Sequence, residues 1–220
     1  MVTSAVNPIP EKLAEILGMR GVQTGASMQL ADDQAAGGHG STCPQLNRFL
    51  DGALVPGSVS EWGMPAGHGA RELALSIVAQ ATLRHQLVLW VNGNESLDVY
   101  PPAWSARGVD LGRLRFVQSG RPVEMLKPVF LERLFDLIVI DCPKHLGADD
   151  WAFLARQART LDVHVMVLQD FLLSGRRGNI WARVRINCVA EMRGWQLKTV
   201  RGPAHEPCHI ERSWLFSAST

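Results

Sequence analysis

Strand and helix signals alternate from Val59 to Gln169, and only strand signals follow from Trp181 onward. A glycine-rich turn also joins the first strand to its helix. These observations predict an α/β protein: a mostly parallel central sheet flanked by helices, with an antiparallel β extension at the C-terminal end. The 220 residues are enough for one well-packed α/β domain and too few for two large ones. Apolar residues make up 46% and charged residues 20%, as expected of a globular protein in water. No apolar run reaches the roughly 20 residues that cross a bilayer. The N-terminus has no charged lead followed by a long apolar block, so no secretory signal is expected and the location expected is cytoplasmic. Net charge is +1, which gives no global field toward nucleic acid. Cys43, Cys142, Cys188 and Cys208 stand far apart without paired spacing and suit a reducing compartment.

The elements follow in order. "PEKLAEILGM" puts Leu13, Ile16 and Leu17 on one helical face, with Pro10 as a first-turn residue. "ADDQAAGGHGS" is small, polar and glycine-rich, so residues 1–40 are expected to be an arm and a mobile linker, and residues 41–220 the folded core. "STCPQLNRFLDGAL" predicts a short helix closed by "VPG". Val59 to Trp62 predicts a strand. Ala70, Leu73, Ala74, Ile77, Val78 and Ala81 then recur at helical spacing. "QLVLWVN" is a continuous apolar strand, "PPAWSARG" a short helix and "LRFVQ" a strand; "PVEMLKPVFLERL" is a helix interrupted at Pro128. "DLIVID" has the composition of a fully buried strand. "ADDWAFLARQARTL" is a helix whose first turn carries Asp149 and Asp150, where carboxylates complement the helix dipole. "VHVMVLQ" is a further buried strand, and "WARVRINCVAEM", "QLKTVR" and "HIERSWLF" are expected to form hairpins.

The turn "GMPAGHGARE" lies where a phosphate-binding loop would lie. Such a loop has the form G-x-x-x-x-G-K-[S/T]: its amides cradle phosphates, its lysine reaches the β and γ phosphates, and its hydroxyl holds magnesium. Here Gly63, Gly67 and Gly69 supply glycine, but Gly63 and Gly69 stand one position too far apart. Ala70 takes the lysine place and Arg71 the hydroxyl place. In the register shifted by one, Arg71 supplies a positive charge, and Glu72 then falls on the magnesium-ligand position and repels a triphosphate. Asp141, at the tip of "DLIVID", stands where a magnesium-orienting carboxylate would stand. The architecture of an ATPase is therefore expected without its hydrolytic chemistry and with no cofactor.

Several segments in order resemble the RecA core: "STCPQLNRFLDGALVPGSVSEWGMPAGHGARELAL", "VLWVNGNESLDVYPPAWSARGVDLGRLRFVQ", "FDLIVIDCP", "VLQDF" and "IWARVRINCVAEMRGWQLKTVRGP". The resemblance spans about residues 41 to 216. It implies a RecA-like fold, with Gln169 in the place of a γ-phosphate-sensing glutamine. Within that superfamily, "YPPAWSARGVDLGRLRFV" and "GSVSEWG" resemble the ImuA family. That likeness implies an SOS-induced accessory protein of DNA repair and mutagenic translesion synthesis. It would work through RecA and/or the polymerase-like ImuB, together with an error-prone DNA polymerase. The chain departs from RecA in its chemistry. Where RecA carries a water-activating glutamate, this chain has Asn94, which can hold a water but is no base. "LLSGRRGNIW" is short where RecA has a long DNA-binding loop.

Other features also admit plain structural roles. Arg176 and Arg177 could touch a nucleic-acid backbone, but two arginines without aromatic neighbours favour a solvated turn. His205, Cys208 and His209 lie close together, but one cysteine without a second cluster favours a hairpin turn over a metal site. Trp104 could anchor a partner or pack on its own sheet. Leu13, Ile16 and Leu17 could dock on a partner or fold back onto the core. The expected function is non-catalytic, of the ImuA type. The alternatives are an unusual ATPase using Arg71 and Asp141, and a SulA-type inhibitor of the division protein FtsZ.

Overall fold

In the computed structural model the described residues are 38–93, 99–203 and 206–215, all within the unit Gly38–Thr220. Leu13, Ile16 and Leu17 of the arm, Asn94, and His205 of the "HEPCH" cluster lie outside them. The elements are α1 (Pro44–Leu50), β1 (Val59–Gly63), α2 (Arg71–Leu83), β2 (Val88–Asn92), α3 (Pro101–Ser105), β3 (Leu114–Gln118), α4 (Pro122–Leu126), β4 (Leu137–Asp141), α5 (Ala148–Leu161), β5 (His164–Gln169), β6 (Val184–Glu191), β7 (Gly194–Arg201) and β8 (Cys208–Glu211). One 8-stranded sheet has the order β3-β2-β4-β5-β1-β6-β7-β8. The first six strands in that order run parallel. β7 and β8 add antiparallel strands at the C-terminal end. The fold class is the one the alternation predicts.

The parallel strands β1, β2 and β4 are buried along their whole length because helices and loops cover both faces. On one face α1 and α2 pack over Trp62, Trp90, Met166, Leu168 and Ile186. Helix α2 presents the predicted stripe of Ala70, Leu73, Ala74, Ile77, Val78 and Ala81, all buried, and also buries Leu75, Ser76, Ala79 and Thr82. Its outer side is covered too: the Ser76 carbonyl accepts the Thr42 amide at 3.2 Å, and Thr82 Oγ1 accepts the Asp110 amide at 3.1 Å. Pro128 breaks the segment after β3 into α4 and a separate 3-10 turn, Val129–Leu131. Among the described residues no helix is long and apolar enough to cross a membrane.

His164 is fully buried inside β5. Its ring bonds Ser60 Oγ at 2.9 Å, Ser58 Oγ at 3.1 Å and the Val55 carbonyl at 3.1 Å. His39, in the stretch predicted as linker, is also buried; its amide donates to the Leu54 carbonyl at 2.7 Å and its ring lies 5.7 Å from His164. Burial holds His164 at about 3, helped by the repulsion of His39. Burial also lowers His39, against the pull of Asp136. A folded-state pKa below the unfolded one means the unfolded chain binds more protons in between. This stability is therefore complete above about pH 6.5 and is lost as pH falls toward 3, by about 1.4 kcal/mol per pH unit for one such group. Urea midpoints should fall with acidification, and His164→Gln should flatten the fall. An equal slope in the variant would place the acid sensitivity elsewhere.

Candidate functional site: an ion pair at the carboxyl edge of the sheet

The carboxyl ends of β1, β2, β4 and β5 lie side by side, in register Gly63↔Gln169, Asn92↔Asp141 and Asp141↔Leu168. Open parallel sheets bind ligands at this edge, and α2 starts from it. The structure brings Gly63, Gly67, Gly69, Arg71, Asp141 and Gln169 to this end of the sheet.

Arg71 leaves the first turn of α2 and lies on Asp141. Its Nε donates to Oδ1 at 2.7 Å and Oδ2 at 2.8 Å, and its Nη2 donates to Cys142 Sγ at 2.6 Å. The Asp141 side chain is 8% exposed and that of Arg71 27%. Burial pushes the Asp141 carboxyl up, and the Arg71 guanidinium pulls it back. For Arg71, burial works against the charge, but Asp141 and Cys142 outweigh it and its pKa rises. Burial and Asp141 push the Cys142 thiol up to about 12, so it stays neutral and is no nucleophile at physiological pH. A cation carried on the chain's own helix thus occupies the carboxylate that would orient magnesium.

The turn itself is tied down by neighbours. The buried Trp195 indole donates to the His68 carbonyl at 2.8 Å, and the Met64 amide donates to the Gln169 carbonyl at 2.8 Å. Glu72 bonds Arg107 at 3.3 Å and lies 3.9 Å from Arg212, so it faces two guanidinium groups. Gly69 has φ +65, a conformation that suits glycine, and a β-carbon there would approach Arg212. Gly63 has a different reason: a β-carbon would collide with Asn187 Oδ1 and the Phe171 carbonyl. This first glycine admits a neighbouring loop.

That loop, residues 170–183, links β5 to β6 across the sheet without a helix, and polar side chains from the strands hold it. Glu61, 1% exposed on β1, accepts the Asn179 amide at 2.7 Å and Gln169 Nε2 at 3.0 Å. Asn187 accepts the Leu173 amide at 2.7 Å and donates to its carbonyl at 2.9 Å, and Arg185 donates to the Ser174 carbonyl at 3.2 Å. Gln169 is therefore engaged by Glu61. Reading the sequence missed Glu61. The signal available was a carboxylate in the middle of a strand that buries both faces.

The remaining predicted residues sort as follows. Trp104 is half-buried and packs on its own sheet, edge-on to Trp90 at 4.8 Å and to Phe116 at 6.2 Å. Arg176 and Arg177 are exposed, but they do have aromatic neighbours: Arg177 sits 3.8 Å over the Phe171 ring, and Trp181 is exposed nearby in the chain. The expectation that they lack aromatics overlooked residues outside the turn "SGRRGN". His209 pairs with Glu191 at 2.6 Å across β6–β8, and among the described residues no cluster of three His, Cys, Asp or Glu could hold a metal. Cys43, Cys142, Cys188 and Cys208 are free thiols.

The sheet, with Arg71 paired to Asp141 at its carboxyl edge, defines an α/β protein with a mostly parallel core. No protein-family model matches the chain. DNA repair protein RadA of Listeria monocytogenes is 44% identical to it over 54 residues, which is 24% of this chain and 12% of RadA. The similarity covers a small part of either protein.

Proposed function

We propose that this chain is a RecA-like accessory protein of SOS-linked DNA damage tolerance, of the ImuA type, that binds partners and does not hydrolyse ATP. The observation that carries the non-catalytic half is the Arg71–Asp141 pair. To orient magnesium, Asp141 must give up Arg71, and breaking a buried pair costs about 3–5 kcal/mol. That loss weakens binding by roughly two to four orders of magnitude. An ATPase that used Arg71 on phosphate and Asp141 on magnesium would need both groups released from each other. The ImuA half is supported by the likeness of residues 100–117 and 57–63 to that family and, at a coarser level, by the similarity to RadA.

The partners proposed are RecA and/or ImuB, and the arm is proposed to take part through Leu13, Ile16 and Leu17. The test is a titration of the full chain against RecA, ImuB and FtsZ, with and without Mg-ATP. The account expects binding to RecA or ImuB that ATP leaves unchanged, weakened at least about tenfold when Leu13, Ile16 and Leu17 become serine. Binding to FtsZ alone would transfer the chain to the division-inhibitor class.

A further inference from the structure

The inner side of the loop 170–183 is fixed to the sheet by Glu61, Arg185 and Asn187, as described above. Its outer side is different. Ile180 is 74% exposed, Trp181 44% and Leu172 42%, in a loop that also exposes Arg176, Arg177 and Arg183. Asp170 is the one acidic residue in this stretch of sequence. Arg201 of β7 reaches in to the Ile180 carbonyl at 2.5 Å and adds another exposed guanidinium side chain. Exposed aliphatic side chains and a local excess of arginine therefore share one short loop, in a chain whose net charge is only +1.

We propose that this loop is a docking surface for a partner protein's acidic segment carrying an apolar anchor residue. Charge complementarity selects the acidic segment. Ile180, Trp181 and Leu172 would gain from covering by an apolar side chain. Because the strands hold the loop's backbone, it has little left to order on binding, so the cost of association is reduced. The same details count against nucleic acid. Phe171, the aromatic beside the arginine pair, already has a face covered by Arg177, Ile180 and Leu172 offer none for a base to stack on, and Trp181 is left as a single exposed ring without the series of stacking faces that a single strand uses. The inference depends on the accessory reading only in requiring that a partner exist.

The test uses the full chain and fluorescence anisotropy with three labelled probes: a peptide alternating glutamate with leucine and phenylalanine, the same peptide with lysine for glutamate, and oligothymidine. Saturable binding of the acidic peptide is expected, at least about tenfold tighter than the lysine peptide. It should weaken about tenfold or more in Arg176→Glu/Arg177→Glu and, separately, in Ile180→Asp, both at exposed positions and both checked for folding by circular dichroism. No binding of the acidic peptide, or binding that neither variant changes, overturns the proposal. Oligothymidine bound more tightly than the peptide and lost in the same variants also overturns it, and assigns the loop to nucleic acid. RecA and ImuB play no part in this assay. A failure here leaves the accessory reading standing, and a failure of the RecA and ImuB titrations leaves the peptide result untouched.

Discussion

Replacing Arg71 with methionine is expected to destabilise the protein by about 3 kcal/mol at neutral pH, because it leaves the Asp141 carboxylate buried without its cation. The asymmetry of the pair predicts the rest of the series. Asp141 is the more buried member, whereas Arg71 can turn its charge toward solvent, so Asp141→Leu should cost less, about 1–2 kcal/mol. The double variant Arg71→Met/Asp141→Leu removes both charges and should recover most of the loss. Mild acid should shrink the Arg71→Met deficit, since an unpaired buried carboxyl takes up a proton readily. Urea unfolding of the three variants near pH 7 and near pH 5 reads all of this. Equal costs for the two single variants, independent of pH, would mean that the pair is a surface contact without the role given to it.

Glu61→Leu is expected to cost about 3–5 kcal/mol. The substitution strands the Asn179 amide and the Gln169 carboxamide, and it removes the carboxylate from the strand position beside the buried Arg185. The damage should be local first. With the loop released, trypsin should cut after Arg176 or Arg177 well before the core unfolds, whereas the parent protein resists. Glu61→Gln keeps one acceptor and should fall between the two. If the leucine variant is as stable and as protease-resistant as the parent, then Asn187 and Arg185 hold the loop without Glu61.

The fold was largely legible in the sequence because its strongest signals are periodic. The 3.6-residue stripe of α2, the apolar runs of β2, β4 and β5, and the interruption at Pro128 all survive in the structure. Helix α5 matches the segment "ADDWAFLARQARTL" residue for residue. Periodicity under-reports burial where a helix is covered on both sides, which is why Ser76 and Thr82 were not expected in the core. The candidate site was legible by position and hidden in its pairing. Gly63, Arg71, Asp141 and Gln169 can each be placed from motif order, but no local pattern says that Arg71 closes on Asp141, seventy residues away. Nor does any pattern say that Gln169 is held by Glu61, or that His39 lies against His164. These are contacts across parallel strands and crossovers, set by topology, and a single sequence carries no short-range trace of them.

In the proposed function the chain's own arginine closes the nucleotide position. Thermal unfolding of the full chain with and without millimolar Mg-ATP, beside a phosphate-release assay, tests it most directly. A ligand at about a hundred times its Kd stabilises the native state by about 2.7 kcal/mol, so even modest affinity would be visible. The account predicts no rise in Tm and no release of phosphate above the protein-free control. A saturable rise of several degrees that vanishes in Arg71→Ala would contradict it, and would make Arg71 a phosphate ligand.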